Sequence, residues 1–563
     1  MKINRWILSG AAACLVLALG AYFWASGLFN SLSAYRSPLH QAPPAPGEAP
    51  LPPGTLTRRV VFVLIDGLRE DTALQPQVMP FLDELRSQGA WARMYSRPPS
   101  YSEPGYTTLF TGAWPELSDG PAINLEYEDI PTWNQDNLFS AARRAGLQSA
   151  VSGYYWFEKL IPQEVVDLSF YTEGEDQEAD RAVVDAALPW LQAGNAELVL
   201  IHLDQVDYAG HHEGGAKASN WLAAARRSDD LLREIAAQLD LERDTLLVCS
   251  DHGHIDAGGH GGQDAITLLE PFVLVGAGVQ PGHYEDIAMV DVAPTLAVLL
   301  GTNLPAASQG GPLSGMLNLT TTQHEAIQRA LAAQQEQLLS NYLVGTGAAS
   351  TESAPSDAIR LIANSGYSAT DENRLMASQS ALEAARQERL NRERLPRAIL
   401  ALAAALLPLM LIFITWRRES AWLLAGAALF MLLFNLMYAL LLGRTYSLSS
   451  VSGAGDLILS VGGMAFLALL VSWLLVVSGL RALRVSPRYT AGISLWLALL
   501  SIYLLSLPVL LSFTINGLLV GWTLPDFSSM FLALLALIQI LFVGVLGLLF
   551  SAAGALLAVS RGR

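Results

Sequence analysis

The residues best suited to chemistry in this chain are crowded into a few short stretches. "SDHGHIDAGGHGG", Ser250 to Gly262, holds Asp251, His252, His254, Asp256 and His260, three of only 9 histidines in the sequence. Histidine and aspartate are metal ligands, and glycine lets backbone approach an ion closely. Taken alone, the stretch fits either a metal site or a histidine-rich surface loop that needs no metal. Three further stretches add donors. "VLIDGLRED" ends an apolar run on Asp66, "HLDQVDYAGHHEGG" sets Asp207 and His211 four residues apart, and "PPSYSEPGYTTLFTG" supplies hydroxyls. Oxygen and imidazole donors from four segments fit a two-metal site better than one structural zinc, which would more often use cysteine. The chain has 2 cysteines, Cys14 and Cys249, one inside an apolar run and one in a strand-like run. They read as unpaired, with Cys249 a small buried hydrophobe.

Such residues need elements to hold them. "RVVFVLID", "LVLIHLD", "TLLVCSD" and "PFVLVG" are short β-rich apolar runs, separated by helical patterns such as "MPFLDELRSQG" and "NWLAAARRSDDLLREIAAQL". Buried strands alternating with helices predict an α/β fold, a mostly parallel sheet with helices on both faces. Ligands collect at the carboxyl ends of such strands. Three of the four runs end in aspartate (Asp66, Asp204 and Asp251), a poor place for a carboxylate unless something there needs charge.

Composition places this domain between membrane segments. The mean hydropathy is +0.33, 52% of residues are hydrophobic and 15% are charged. Runs long enough to span a bilayer occur at the N-terminus, "WILSGAAACLVLALGAYFWASGLF", and again from Ala398 onward. The first reads as an uncleaved anchor rather than a signal peptide, being long for one. The second divides into about five spans: Ala398–Thr415, Ala421–Leu442, Leu457–Leu480, Ala491–Phe513 and Met530–Val559. A net charge of -17 with no basic patch excludes nucleic acid as a partner. The expected organisation is an anchor over residues 1–29, a proline-rich extended spacer over 30–57, a catalytic domain over 58–317, a helical stalk over 318–397 interrupted by "GTGAASTESAPSD", and a multispan region over 398–563. "MKINRW", "WRRES", "RALRVSPR" and "SRGR" fall on one side of a six-span arrangement. The positive-inside rule then puts the N-terminus in the cytoplasm and the domain on the non-cytoplasmic face.

The four blocks, in this order, resemble the alkaline phosphatase superfamily. They are most similar to the catalytic domains of GPI ethanolamine phosphate transferases and, next, of nucleotide pyrophosphatase/phosphodiesterases. Asp66, Arg69 and Asp71 match "DGLRxD". His202, Leu203, Asp207, Gly210 and His211 match "HLxGxDxxGH", with Gln205 in place of the pattern's first glycine. Asp251, His252, Asp256 and His260 match "SDHGMxDxGxHG", with His254 in place of its methionine. The likeness runs from about Arg58 to Leu313; the membrane region matches only in layout, since the transferases usually have more spans.

This resemblance implies two zinc ions, manganese being the other metal the donors suit. One would lie on Asp207, His211 and His260, the other on Asp66, Asp251, His252 and the nucleophile. The family's nucleophile pattern falls on Ser102, followed by Glu103 and Pro104, with Ser100 the runner-up and Thr107, Thr108 and Thr111 as helix positions. Proline suits the first turn of a helix, and the free N–H groups there would face phosphoryl oxygens. The implied activity is phosphoryl transfer on phosphodiesters through a phospho-serine, by a phosphodiesterase or a phosphoethanolamine-type transferase acting on lipid-linked substrates. The alternative substrates are soluble nucleotides. A sulfatase would carry arginine where Tyr106 stands, and a decayed, non-catalytic domain would have lost ligands that are all present here. Arg69 and His254 are candidate substrate contacts, Arg69 being otherwise a structural ion pair and His254 otherwise solvent-facing. His202, inside an apolar strand, reads as a core histidine. Glu103 is expected to carry a negative charge beside the nucleophile, disfavouring dianionic monoesters.

Overall fold

The apolar runs that end in aspartate become the centre of a single sheet. The computed structural model describes residues 5–47, 54–347, 371–414, 420–482 and 489–560. Its strands are β1 (Arg59–Ile65), β2 (Ala90–Tyr95), β3 (Ser149–Tyr154), β4 (Leu168–Thr172), β5 (Leu198–Leu203), β6 (Asp244–Cys249), β7 (Leu269–Gly276) and two short pieces, β8 (Gly282–His283) and β9 (Ile287–Ala288). The order is β4-β3-β5-β1-β6-β7-β2-β8, with β9 also on β2. From β4 to β6 every pairing is parallel. β7, read from "PFVLVG" as one more strand of the set, runs antiparallel to both β6 and β2. The fold class is the expected one, a mostly parallel α/β sheet.

Alternation along the strands explains why helices cover both faces. Val60, Phe62 and Leu64 of β1 join a core that includes Tyr106, Phe110, Phe139 and Leu296. Val61, Val63 and Ile65 point the other way, into a core with Leu82, Val184, Trp221 and Leu232. Cys249 is fully buried in the first of these, as a small apolar residue would be. Because β5, β1 and β6 are parallel and adjacent, their carboxyl ends bring Asp204, Asp66 and Asp251 to one edge.

The chain divides into two compact units, Tyr35–Leu390 with Trp522–Leu524, and Met1–Ala34 with Asn391–Gly521 and Pro525–Arg563. In the first, the spacer is less free than its prolines imply. Arg36 Nε donates to both oxygens of Asp119 at 3.0 and 3.1 Å, and Leu39 is buried against Leu117, Leu338 and Tyr342. The Thr321–Gly345 helix, expected in a stalk, instead packs Ile327 and Leu331 into the sheet's core. The stretch 348–357 of the expected interruption lies outside the described residues.

The second unit contains helices long and apolar enough to cross a membrane. Among the described residues there are 6 such spans, Trp6–Ser33 and five C-terminal ones. Each of the five runs read from the sequence falls on one of these helices. The first, however, belongs to one continuous helix, Asp371–Ile414, that starts well before Ala398 and carries Pro396 inside it. Most of the basic flanks used for topology lie outside the described residues.

Candidate active site

Each block delivers its donor through a distinct local device. Asp66 follows β1 directly, its N–H still donating to Leu203 O at 2.8 Å, and Gly67 then turns the chain at φ +67°. A side chain at Gly67 would be strained by that φ and would meet Asp207 Oδ1 and His254 Nε2 at 2.9 Å, so glycine is required. Asp207 and His211 sit one turn apart on the helix Gln205–His212. Ser102 opens the helix Ser102–Thr111, with Pro104 in its first turn. Asp251, His252, His254 and His260 come from the glycine-rich loop after β6.

The donors converge in two groups. Ser102 Oγ lies 3.2 Å from His252 Nε2. The same nitrogen is 3.4 Å from Asp66 Oδ1 and 3.5 Å from Asp251 Oδ2. In the second group His260 Nε2 is 2.8 Å from His211 Nε2 and 3.5 Å from Asp207 Oδ1. Asp207 Oδ2 is 3.5 Å from His211 Nε2. Asp207, His211, His254 and His260 can all place a ligand atom within 4.8 Å of one another, as can Asp66, Asp207 and His252.

Hydrogen bonding and burial test whether this set fits metal ions. His260 Nδ1 donates to Ser100 O at 2.8 Å and His252 Nδ1 to Gly253 O at 3.3 Å. Each therefore turns an unprotonated Nε2 inward, the tautomer of a metal ligand. Asp66 Oδ1 and Asp251 Oδ2 are buried and have no hydrogen-bond partner. A buried carboxylate oxygen left without a donor is costly unless a cation meets it. Burial, with Asp66 close by, pushes Asp251 well above the usual carboxylate range, and Asp204 likewise. Burial also works against the Asp207 carboxylate, but His211, His254 and His260 together hold it well below that range. Burial and then His252 push His260 well below its ordinary value. Imidazole nitrogens and carboxylate oxygens without cysteine suit zinc or manganese. The residues fit the group.

The expected nucleophile and its competitors separate cleanly. Ser102 alone faces His252. Ser100 Oγ is bound to Gly262 O at 3.1 Å and Thr267 Oγ1 at 3.0 Å while accepting Gly261 N–H at 2.9 Å. Thr107, Thr108 and Thr111 donate to carbonyls of their own helix.

Of the two readings of Arg69 the geometry fits the ion pair: buried, it donates to Asp71 and, at 2.7 Å, to Asp256. Two expectations change. His254 is neither solvent-facing nor a substrate contact, being fully buried with both ring nitrogens engaged, on Asp207 Oδ1 at 2.7 Å and Gly259 N at 3.0 Å. Glu103 is not a free charge. It is fully buried, accepts Leu125 N–H at 3.0 Å through Oε1, and burial pushes its carboxyl up to about 8. His202 is a core residue as expected, yet its Nε2 reaches Asp66 Oδ2 at 2.9 Å.

Two participants escaped sequence reading. Asn124 Nδ2 donates to Ser102 Oγ at 3.3 Å while its Oδ1 accepts Glu103 N–H at 3.0 Å. It comes from "PAINLEYED", a stretch with no recognisable pattern. Tyr106, noticed only as standing where a sulfatase has arginine, donates its hydroxyl to Asp66 Oδ2.

Known proteins resemble the chain over this domain. Residues 60–273 match the family model described as Type I phosphodiesterase / nucleotide pyrophosphatase. The catalytic subunit of human GPI ethanolamine phosphate transferase 2 is 28% identical over 340 residues, covering 54% of this chain and 33% of that protein. That of human GPI ethanolamine phosphate transferase 3 is 27% identical over 339 residues, covering 53% and 30%. The match thus spans about a third of the length of these relatives. The family model and the transferases bear out the resemblance to the alkaline phosphatase superfamily. A solved structure, human ectonucleotide pyrophosphatase / phosphodiesterase 5, aligns at 15% identity with a TM-score of 0.40, over 46% of this chain and 100% of that one.

Proposed function

We propose that this chain is a membrane-anchored, metal-dependent phosphoryl-transfer enzyme acting on phosphodiesters through a phospho-serine at Ser102. One observation carries the reading. Ser102 Oγ, at the first turn of a helix, sits 3.2 Å from His252 Nε2, the same nitrogen that faces the partnerless oxygens of Asp66 and Asp251. Asp207, His211 and His260 would hold one zinc ion, and Asp66, Asp251, His252 and Ser102 the other. Bound there, the ions supply Lewis-acid stabilisation of phosphoryl oxygens and of attacking and leaving oxygens.

The remaining work falls to the chain. Ser102 Oγ attacks phosphorus, the bond to the leaving alkoxide breaks in line and that alkoxide departs with the serine proton as an alcohol, leaving phosphorus esterified to Ser102 and to the substrate group that is retained. Asn124 Nδ2 orients Ser102 and takes up a phosphoryl oxygen. Asn124 is held for that task because its carbonyl oxygen is tied to Glu103 N–H. Water, or an alcohol acceptor, then attacks the phospho-serine and releases Ser102. Arg69 is spent on Asp71 and Asp256, so it does not clamp a dianionic monoester, and a diester with one charge fewer is the better substrate. Tethering to the bilayer raises the effective concentration of lipid-linked diesters, which favours them over soluble nucleotides. The domain is assigned to the non-cytoplasmic face from the basic flanks.

The test uses the full-length protein in detergent with zinc. A phosphoethanolamine lipid, a soluble nucleotide diester and a simple monoester are compared, and the enzyme is trapped by acid quench for peptide mass spectrometry. A phosphoryl adduct on Ser102 that keeps the retained ester group (phosphoethanolamine from the lipid), its loss together with activity in Ser102→Ala, and fastest turnover of the lipid are expected. Retained activity in Ser102→Ala would refute the nucleophile. Fastest turnover of the monoester would refute the substrate class.

A further inference from the structure

Two buried histidines stand beside the metal-binding carboxylates without being assigned a task. His254 Nδ1 accepts the backbone N–H of Gly259 at 3.0 Å. That lone pair is therefore used, so the ring proton is on Nε2, which donates to Asp207 Oδ1 at 2.7 Å. This is the reverse of His252 and His260, whose Nδ1 atoms face carbonyls and whose Nε2 atoms face inward as lone pairs. His202 shows the same reversal at the other carboxylate. Its Nδ1 is buried without a partner, while Nε2 lies 2.9 Å from Asp66 Oδ2. A proton on Nδ1 would be a stranded buried donor, so it too belongs on Nε2.

From this we infer that His254 and His202 are a matched pair of positioning residues, each occupying one oxygen of a metal-binding carboxylate so that only the other is left for the ion. At Asp207, His254 takes Oδ1 and leaves Oδ2, 3.5 Å from His211 Nε2. At Asp66, His202 and the Tyr106 hydroxyl take Oδ2 and leave Oδ1, the partnerless atom 3.4 Å from His252 Nε2. The inference rests on the two-metal reading above and adds to it how each aspartate binds: through one oxygen, in a fixed orientation.

The surroundings of His254 are shaped for it. A Cβ on Gly210 would lie 2.5 Å from His254 Cε1, and one on Gly67 2.9 Å from its Nε2. Trp221 closes the remaining side, its ring centroid 5.2 Å away. The methionine of the resembling block could not donate to Asp207, so the substitution at 254 adds a hydrogen bond that this chain's metal site has been built around.

The test measures metal affinity, not turnover. Full-length protein in detergent is stripped of metal and titrated with zinc against a competing chelator. His254→Met should weaken one zinc site by roughly 10- to 100-fold, and His202→Leu the other, the usual cost of losing such a hydrogen bond. His254→Gln, which keeps an N–H donor and similar size, should bind zinc within a few-fold of wild type, separating loss of the donor from failure to fold. Cobalt(II) in the His254→Gln protein should keep the wild-type visible bands, since the ligand atoms are unchanged. Unaltered zinc affinity in His254→Met and His202→Leu would overturn the inference. Shifted cobalt bands in His254→Gln would overturn it differently, by making His254 a ligand. A wild-type protein that binds no zinc would overturn the two-metal reading itself, and this inference with it.

Discussion

Replacing Glu103 by glutamine should make the protein more stable at alkaline pH and remove a downward slope of stability with pH. The carboxyl is fully buried one residue from the nucleophile, with Oε1 on Leu125 N–H and Oε2 without a partner. Burial raises it from 4.5 to about 8, the Leu125 N–H offsetting only part of that. In the unfolded chain it titrates at its ordinary value. Between those two values the folded state holds a proton that the unfolded state has lost, so folding becomes less favourable as pH rises. The change begins near 4.5 and is complete above 8. At about 1.4 kcal/mol per pH unit the full span is worth roughly 5 kcal/mol. Glutamine has no charge to lose. Its amide keeps an acceptor for Leu125 N–H and leaves one buried group short of a partner, as the protonated acid does, so the two proteins should match near pH 5. The assay is thermal unfolding of both proteins in detergent from pH 5 to 9. The melting temperature of Glu103→Gln should pull ahead as pH rises, by an amount of order 10 °C at the alkaline end. Parallel curves, or a wild type that gains on the variant with rising pH, would refute the reasoning and restore Glu103 as an ordinary anion beside Ser102.

Other outcomes follow from the same geometry. Asn124→Asp keeps the oxygen that accepts Glu103 N–H but removes the N–H on Ser102 Oγ. Stability should change little while phosphoryl transfer drops about 100-fold or more; unaltered turnover would take Asn124 out of the mechanism. Elemental analysis should find about two metals per wild-type chain and about one in His260→Ala, with activity nearly gone; a His260→Ala protein with its full metal content would contradict the ligand assignment. Reporter fusions at Gly54 and Gly347 should read as translocated and one at Arg418 as cytoplasmic, whereas a cytoplasmic signal at Gly347 would reject the proposed topology.

What the sequence makes legible here depends on whether chemistry is local. Asp66 and Asp251 stand out because a carboxylate after a buried strand contradicts its surroundings, and Asp207 with His211 because one helical turn separates them. β1, β5 and β6 are readable because both of their faces are buried and the run is continuously apolar. β2, β3 and β4 pass unnoticed for the opposite reason. "AWARMY" and "LSFYT" are only partly buried, and "SAVSGY" mixes small and polar residues, so none shows an apolar run. Asn124 and Tyr106 are legible only in three dimensions, since each acts across a gap of 22 or 40 residues that no spacing rule spans. Glu103 and His254 differ between sequence and structure for one cause: residue type says nothing of burial, and both are fully buried, as Arg69 almost is in the ion pair expected of it. Burial decides whether a charge exists and to whom it is paid out: Arg69 to two aspartates, Glu103 to a proton, His254 to the carboxylate it orients. In a cluster of this density the identity of a residue sets what it can donate, and its neighbours set which atom is left to do so. That is why two histidines only two apart in sequence, His252 and His254, turn the same ring nitrogen, Nε2, toward one centre in opposite states, a lone pair in His252 and a donor in His254.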